Sequence, residues 1–402
     1  MQSIDTLIIG AGQAGLSASY ELTQRGVEHI VLEKERIGAG WANRWESFCL
    51  VTPNWSVRLP GFHYDGDDPD GFMPRDEIVA FLEQYAASFD APVQLGVHVS
   101  GVSKRGDGFE VAVDGGEGFL ARNLIVSTGA YQKPFVPKGG ETLPDHLTVM
   151  DITGFASEAA LPDGDVLIIG SGQAGCQLAE ELQDAGRRVV LACGKAPWSP
   201  RRIGEKDVMW WLLESGFMDV DATTLPPEAR LFANVLASGH QGGHDMHYRT
   251  LADRGIELAG RFLGAKDGIA HFAPDLAESV AWGDARFAQL REVFQKFAAD
   301  QGINIPDVAD PEPFVASGPE SVDLGSFGSV IVTGGFRPDY LSWMPWPEAF
   351  DEAGFPLQRD GASSAVPGLY FVGLHFMRNR RSALLCGVGD DARVVAEQVA
   401  GS

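Results

Sequence analysis

Two stretches of the chain carry the same succession of apolar runs, glycines and amphipathic segments. Residues 7–34, LIIGAGQAGLSASYELTQRGVEHIVLEK, align without gaps to residues 167–194, LIIGSGQAGCQLAEELQDAGRRVVLACG. Each opens on an unbroken apolar run, which reads as a strand. Each then passes a glycine-rich turn, an amphipathic helix ended by Gly26 or Gly186, and a second apolar strand. Elsewhere Ile78, Phe81, Leu82, Tyr85 and Phe89 share one face of a helix predicted over 75–89. Residues 108–130 predict two strands around a glycine-rich turn and a third that ends in Ser-Thr-Gly. The stretch 328–340, GSVIVTGGFRPDY, repeats the strand followed by Thr-Gly. Residues 205–300 read as helix-rich and aromatic, and the chain closes with a strand, a loop and a helix.

The glycines fall as GxGxxG in both copies: Gly10, Gly12 and Gly15, then Gly170, Gly172 and Gly175. The first glycine makes a tight turn, the second lets backbone approach a pyrophosphate, and the third lets helix and strand pack closely. Gln13 and Gln173 open the helices, whose free N–H groups suit an anion. The copies differ where the second strand ends. Glu33 can accept hydrogen bonds from the hydroxyls of an unphosphorylated ribose. Cys193 stands at the aligned position, with Lys195, Arg201 and Arg202 beyond it, cations that suit a 2′-phosphate. The first copy therefore fits the adenosine of FAD or NAD, and the second fits NADP. The expected fold is α/β with two Rossmann-like dinucleotide-binding domains. The NADP domain, 155–315, is expected to be inserted into a discontinuous FAD domain built from 1–154 and 316–402.

Composition narrows the picture. The 402 residues are 45% hydrophobic and carry a formal net charge of −24, which argues against nucleic acid or an anionic membrane as partner. No apolar run nears bilayer length and the N-terminus goes straight into a strand, so a cytoplasmic location is expected. Cys49, Cys176, Cys193 and Cys386 form no CxxC pair. His240, His244 and His247 crowd one short segment, but the glycines between them weaken a helix, so no metal is expected there.

The paired GxGxxG units, together with LIVSTGAYQKPFVP, VIVTGGFRPDY and YFVGL…RSALLCGVGDDA, resemble the flavin-containing monooxygenases. The likeness is to a bacterial branch of single-chain FAD/NADPH enzymes related to the plant indole-pyruvate monooxygenases. It implies that NADPH reduces FAD and that O2 then forms a flavin C4a-hydroperoxide. This species would oxygenate a small organic substrate at nitrogen, sulfur or a carbonyl carbon. By position, Trp41 and Arg44 would lie along the FAD, with Thr128 and Gly129 of the STG turn and Asp391 near the flavin. Asn54 would stand at the flavin's reactive edge as the catalytic amide, and an Asx-type turn beside Pro53 reads equally well. The expected partners are the substrate and O2, with a homodimer open as the assembly.

One departure stands out. The family's F-x-G-x-x-x-H-x-x-x-aromatic signature meets Asp145, Leu147, Asp151 and Phe155 here. The linker is therefore atypical, which keeps open an NADPH oxidase or flavin reductase as the alternative; a flavin-binding redox sensor without turnover is a third.

Overall fold

In the computed structural model, which describes residues 1–401 except 232, 233, 307 and 316, the repeated apolar runs become central strands of a nine-stranded mixed sheet and a five-stranded parallel sheet. Gln2–Ile9 lies between His29–Glu33 and Phe119–Val126. Val93–Leu95 extends the sheet beyond the former and Leu369–Phe371 beyond the latter, all parallel. Both faces are covered. Ile8 packs with residues of the helices Gln13–Gln24, Arg75–Ser88 and Val388–Ala400, while Leu7 packs towards Phe109, Trp346 and Phe350. This two-sided burial is why the run shows no polar alternation.

The second sheet runs Thr148–Asp151, Phe327–Val332, Asp165–Ile169, Val189–Ala192, Glu257–Ala259, again all parallel. The expected boundaries at 155 and 315 fall inside the stretch 148–332 that builds it. The reason is register: Thr148 pairs with Ser329 and Asp151 with Val332, so the outgoing linker and the returning strand both belong to this sheet. The two crossings between sheets run side by side, Lys133–Pro134 pairing antiparallel with Phe336–Arg337. Gln132 binds them further. Its Nε2 donates to Thr128 Oγ1 and to the Gly129 carbonyl, each at 3.0 Å, and its Oε1 accepts from Asp339 N at 2.6 Å.

The predicted helix over 75–89 forms as Arg75–Ser88, with Phe89 at its C-cap packed on Tyr20 and Tyr85. Gly26 and Gly186 stop their helices with φ of +66° and +88°, a turn that a side chain resists. The segment 205–300 is less helical than its pattern suggests. It holds Val208–Glu214, Tyr248–Asp253 and Leu276–Gln301, with short 3-10 turns between the first two. Pro226 and the glycines at 239, 242 and 243 interrupt the i→i−4 ladder there.

Candidate functional site

Each glycine loop is closed from the strand paired beside its own, Phe119–Val126 in one sheet and Phe327–Val332 in the other. Gly10 turns at φ +104°, and a Cβ there would lie 2.7 Å from the Ser127 carbonyl oxygen. Gly170 turns at φ +112°, and a Cβ would lie 2.6 Å from the Thr333 carbonyl oxygen. At Gly15 and Gly175 a Cβ would come within 1.9 Å of the carbonyl oxygen of Gly10 or Gly170, so only glycine fits. Ser127 Oγ donates to the Ile9 carbonyl at 2.7 Å, and Thr333 Oγ1 to the Gly170 carbonyl at 2.6 Å. Neither hydroxyl was singled out from the sequence, although the twin Ser-Thr-Gly and Thr-Gly-Gly turns mark the place.

Gly12 is different. A Cβ there would meet nothing within 4 Å, so the ground before the helix start is open. Gly12 and Gly172 cap their helices without a side-chain acceptor, and so does Gly387 at Val388–Ala400. Bare N–H groups beside an open cradle fit a pyrophosphate.

The strand ends separate the two sites. Glu33 is buried; its Oε2 accepts from Ala11 N at 2.9 Å and its Oε1 from Glu35 N at 3.0 Å. A carboxylate held this way still has lone pairs for ribose hydroxyls. In the second copy the link runs with the opposite polarity. Ser171, aligned with Ala11, accepts from Gly194 N at 2.8 Å, and Tyr248 lies 2.6 Å from the same hydroxyl. Cys193 stands where the first copy has Glu33, and Lys195 is exposed just beyond it.

Around the first cradle the expected FAD residues converge. Trp41 Nε1 donates to Gln13 Oε1 at 2.9 Å, and Gln13 Nε2 donates to the Ala383 carbonyl at 3.3 Å. Gln173 plays the matching part in the second copy, its amide exchanging hydrogen bonds with Ala237 N and O. Arg44 lies 4.8 Å from the Tyr131 ring and 5.9 Å from Phe48, with its buried Nε unpartnered among the described residues. Tyr131 stacks edge-on against His375, whose imidazole burial pushes down to about 4, so that ring is neutral at pH 7. Asp391 is 1% exposed; its Oδ1 lies 3.4 Å from Arg378 Nη1, and its Oδ2 has no partner among the described residues. An orphaned guanidinium nitrogen and an orphaned carboxylate oxygen beside an open cradle are groups that a polar cofactor would satisfy.

The cations expected at the 2′-phosphate do not act together. Arg202 is exposed, with a single long hydrogen bond, 3.4 Å to the Gly242 carbonyl. Arg201 points inward instead, where its guanidinium pairs with Asp207 and donates to the Val51 carbonyl at 2.7 Å. It is spent inside the fold, so Lys195 and Arg202 are left as the exposed candidates. Asn54 is likewise occupied. Its Nδ2 donates to the Asp68 carbonyl at 2.9 Å and its Oδ1 accepts from Met73 N at 2.8 Å, bracing the 68–73 loop.

Asp151 accepts from Thr153 N at 2.8 Å and caps the turn Ile152–Gly154. His244 pairs with Glu180 at 2.7 Å, and His247 caps Tyr248–Asp253 while stacking on Trp198. All four cysteines are buried and free, and burial pushes the thiols of Cys49 and Cys386 up to about 11. Such thiols stay protonated and are poor nucleophiles. Among the described residues no helix is long and apolar enough to cross a membrane.

Known proteins agree with this arrangement. A family described as pyridine nucleotide-disulphide oxidoreductase matches residues 7–213. The chain is 30% identical over 402 residues, 98% of each sequence, to an uncharacterized oxidoreductase, CzcO-like, of Geobacillus kaustophilus. It is 29% identical over 180 residues, 44% of each sequence, to the indole-3-pyruvate monooxygenase YUCCA1 of Oryza sativa subsp. japonica. Its fold is similar to the flavin-containing monooxygenase of Stenotrophomonas maltophilia, with a TM-score of 0.71 at 21% identity, covering 100% of this chain and 99% of that one. The resemblance to flavin-containing monooxygenases is borne out.

Proposed function

The chain belongs to the pyridine nucleotide-disulphide oxidoreductase family, and on that premise we propose that it is a FAD-dependent monooxygenase driven by NADPH and O2. One oxygen atom would pass to a small organic substrate and the other would leave as water. The observation that carries the reading is the doubled glycine cradle, with Glu33 at one ribose position and Lys195 beyond the other, in a chain whose cysteines are buried and unpaired. A disulphide-reducing reading lacks its thiol pair.

When bound, FAD supplies hydride acceptance from NADPH and the activation of O2. The protein's own residues bind and orient. Gly10, Gly12 and Gly15 hold backbone N–H groups towards the FAD pyrophosphate, and Glu33 takes the ribose hydroxyls. Trp41, fixed by Gln13, and Arg44, held between aromatic rings, flank the cofactor, with Asp391 at the start of the closing helix. Thr128 and Gly129 fix the crossing between the two cradles. Gly170, Gly172, Gly175 and Gln173 receive NADP, with Lys195 and Arg202 at its 2′-phosphate. Asn54 keeps the 68–73 loop in place, and this bracing is the part we assign to it.

The test is a rapid-mixing experiment. NADPH should bleach the bound flavin without oxygen, and a substrate panel in air should show oxygen incorporation with little peroxide. Failure of NADPH to reduce the flavin would remove the reading. A second reading, an NADPH oxidase or flavin reductase, is favoured by Asp151, which caps Thr153 where the family places a histidine. One peroxide per NADPH, unchanged by any substrate, would select it.

A further inference from the structure

We propose that the cavity between the Pro53–Trp55 turn and the hairpin Arg202–Ile203/Lys206–Asp207 binds a zwitterionic aromatic molecule of the aromatic α-amino acid class. The inference deepens the oxygenase reading by naming a substrate class, and it rests on that reading only for the chemistry after binding.

The cavity, open to solvent on one side, has a volume of about 300 Å³, the lower end of small-molecule sites. The indoles of Trp55 and Trp210 form part of its lining, and neither indole N–H has a partner among the described residues. Trp210 is held in place by Trp211, edge-on at 4.9 Å, and by Phe297 at 6.0 Å. Indole walls are apolar on their faces and donate at one edge, which suits a flat ring.

The charges on the rim are divided. Lys206 Nζ sits 5.3 Å from the Trp210 ring with no carboxylate within 4.0 Å among the described residues, whereas Arg202, on the same rim, is the residue assigned to the nucleotide. Asp70 and Glu205 also line the cavity and are likewise unpaired among the described residues. Asp207, the remaining charge, is neutralised by Arg201 at 2.7 Å. A simple carboxylate would satisfy Lys206 but face the two free acids. An amine alone would face the unpaired Lys206. A ring carrying both groups meets each with its opposite, and electrostatic complementarity of this kind decides specificity.

The wall of the cavity is braced from within the fold. Pro53 and Trp55 flank Asn54, whose amide braces the 68–73 loop that contributes Asp70 to the lining. Arg58 Nε donates to the Cys386 carbonyl at 3.3 Å, tying this segment to the residues that lead into the closing helix.

Calorimetric titration of the FAD-loaded protein at low salt tests the proposal with L-tryptophan, 3-indolepropionate and tryptamine. L-Tryptophan should bind at least fivefold more tightly than either analogue. Lys206→Met should bring it to the level of tryptamine, Asp70→Asn to the level of 3-indolepropionate, and Trp210→Leu should weaken all three. The flavin absorbance of each variant reports that the fold is kept. Equal binding of the three compounds, no binding at all, variants without effect, or displacement of L-tryptophan by NADP⁺ would each overturn the assignment. Binding is read without turnover, so the two readings fail separately. Selective binding with no NADPH-dependent oxygenation sinks the oxygenase, whereas oxygenation of other compounds without tryptophan binding sinks the cavity.

Discussion

Arg201 Nη2 lies 2.7 Å from Asp207 Oδ2, and the two side chains are 2% and 8% exposed. The guanidinium also stacks 4.4 Å from the Phe72 ring, and Arg201 N donates to Asp245 Oδ1 at 2.6 Å. Burial pulls the arginine's pKa down and the aspartate's up, while each partner's charge opposes that pull. Removing one member leaves the other charged in a poorly solvated place. Arg201→Met should therefore cost about 3–5 kcal/mol, and Arg201→Met with Asp207→Leu should recover much of it. Chemical denaturation of the FAD-loaded protein measures this. Equal midpoints for the single and double variants would show that the pair is not coupled.

Three glycines of the two loops should fail in different ways. Gly15→Ala pushes a methyl into backbone at 1.9 Å, so a loop shift and loss of bound flavin are expected. Gly175→Ala makes the same clash in the second copy, so that protein should stay yellow but be reduced slowly by NADPH. At Gly12 the added methyl meets no protein atom, so Gly12→Ala should fold normally and lose FAD affinity alone. Absorbance at purification and stopped-flow reduction separate the three. Full flavin content in Gly15→Ala would contradict the cradle.

The duplicated loop was legible because its constraints are local. A turn at positive φ, and a Cβ that would meet the carbonyl of Gly10 or Gly170, are written directly as glycine. The strands around it were legible because burial on both faces leaves a bare apolar run. Arg201 was not. The sequence SPRR offers two equivalent cations, but Arg201 is drawn inward by Asp207 just downstream and by Val51 and Phe72 far upstream, contacts that no local pattern records. Asn54 shows the same limit, since a carboxamide bracing Asp68 and Met73 reads no differently from one aimed at a cofactor. The edge of the second sheet was missed because Thr148–Asp151 is short and partly exposed and becomes a strand only by pairing with Phe327–Val332.

Cofactor preference should follow the two exposed cations. Lys195→Ala and Arg202→Ala each remove one charge from the expected 2′-phosphate site, and a charge-assisted hydrogen bond contributes about 1.5–3 kcal/mol. The KM for NADPH should rise by about tenfold or more in each variant, with the KM for NADH little changed. Steady-state oxidation of both nucleotides measures it. If NADPH binding is unaffected in the double variant, the 2′-phosphate is held elsewhere.

Asp391 should make stability depend on pH in a direction unusual for an aspartate. Burial, the largest effect, raises its carboxyl from the ordinary 3.8 to about 6, with hydrogen bonding and the Arg378 charge opposing. The folded state thus holds a proton that the unfolded chain has already released. The stabilisation is complete below about pH 3.8, declines as pH rises through the window up to about 6, and is lost above it. Asp391→Asn stays neutral throughout, so its thermal midpoint should gain on the unmodified protein between about pH 4 and 6 and run parallel above. Flavin content must be matched in the two samples, because a ligand that binds only the folded state shifts the midpoint by mass action. A difference that is constant from about pH 4 to about pH 8 would mean that the orphaned Oδ2 is solvated, and the residue would lose its place among the groups that wait for a cofactor.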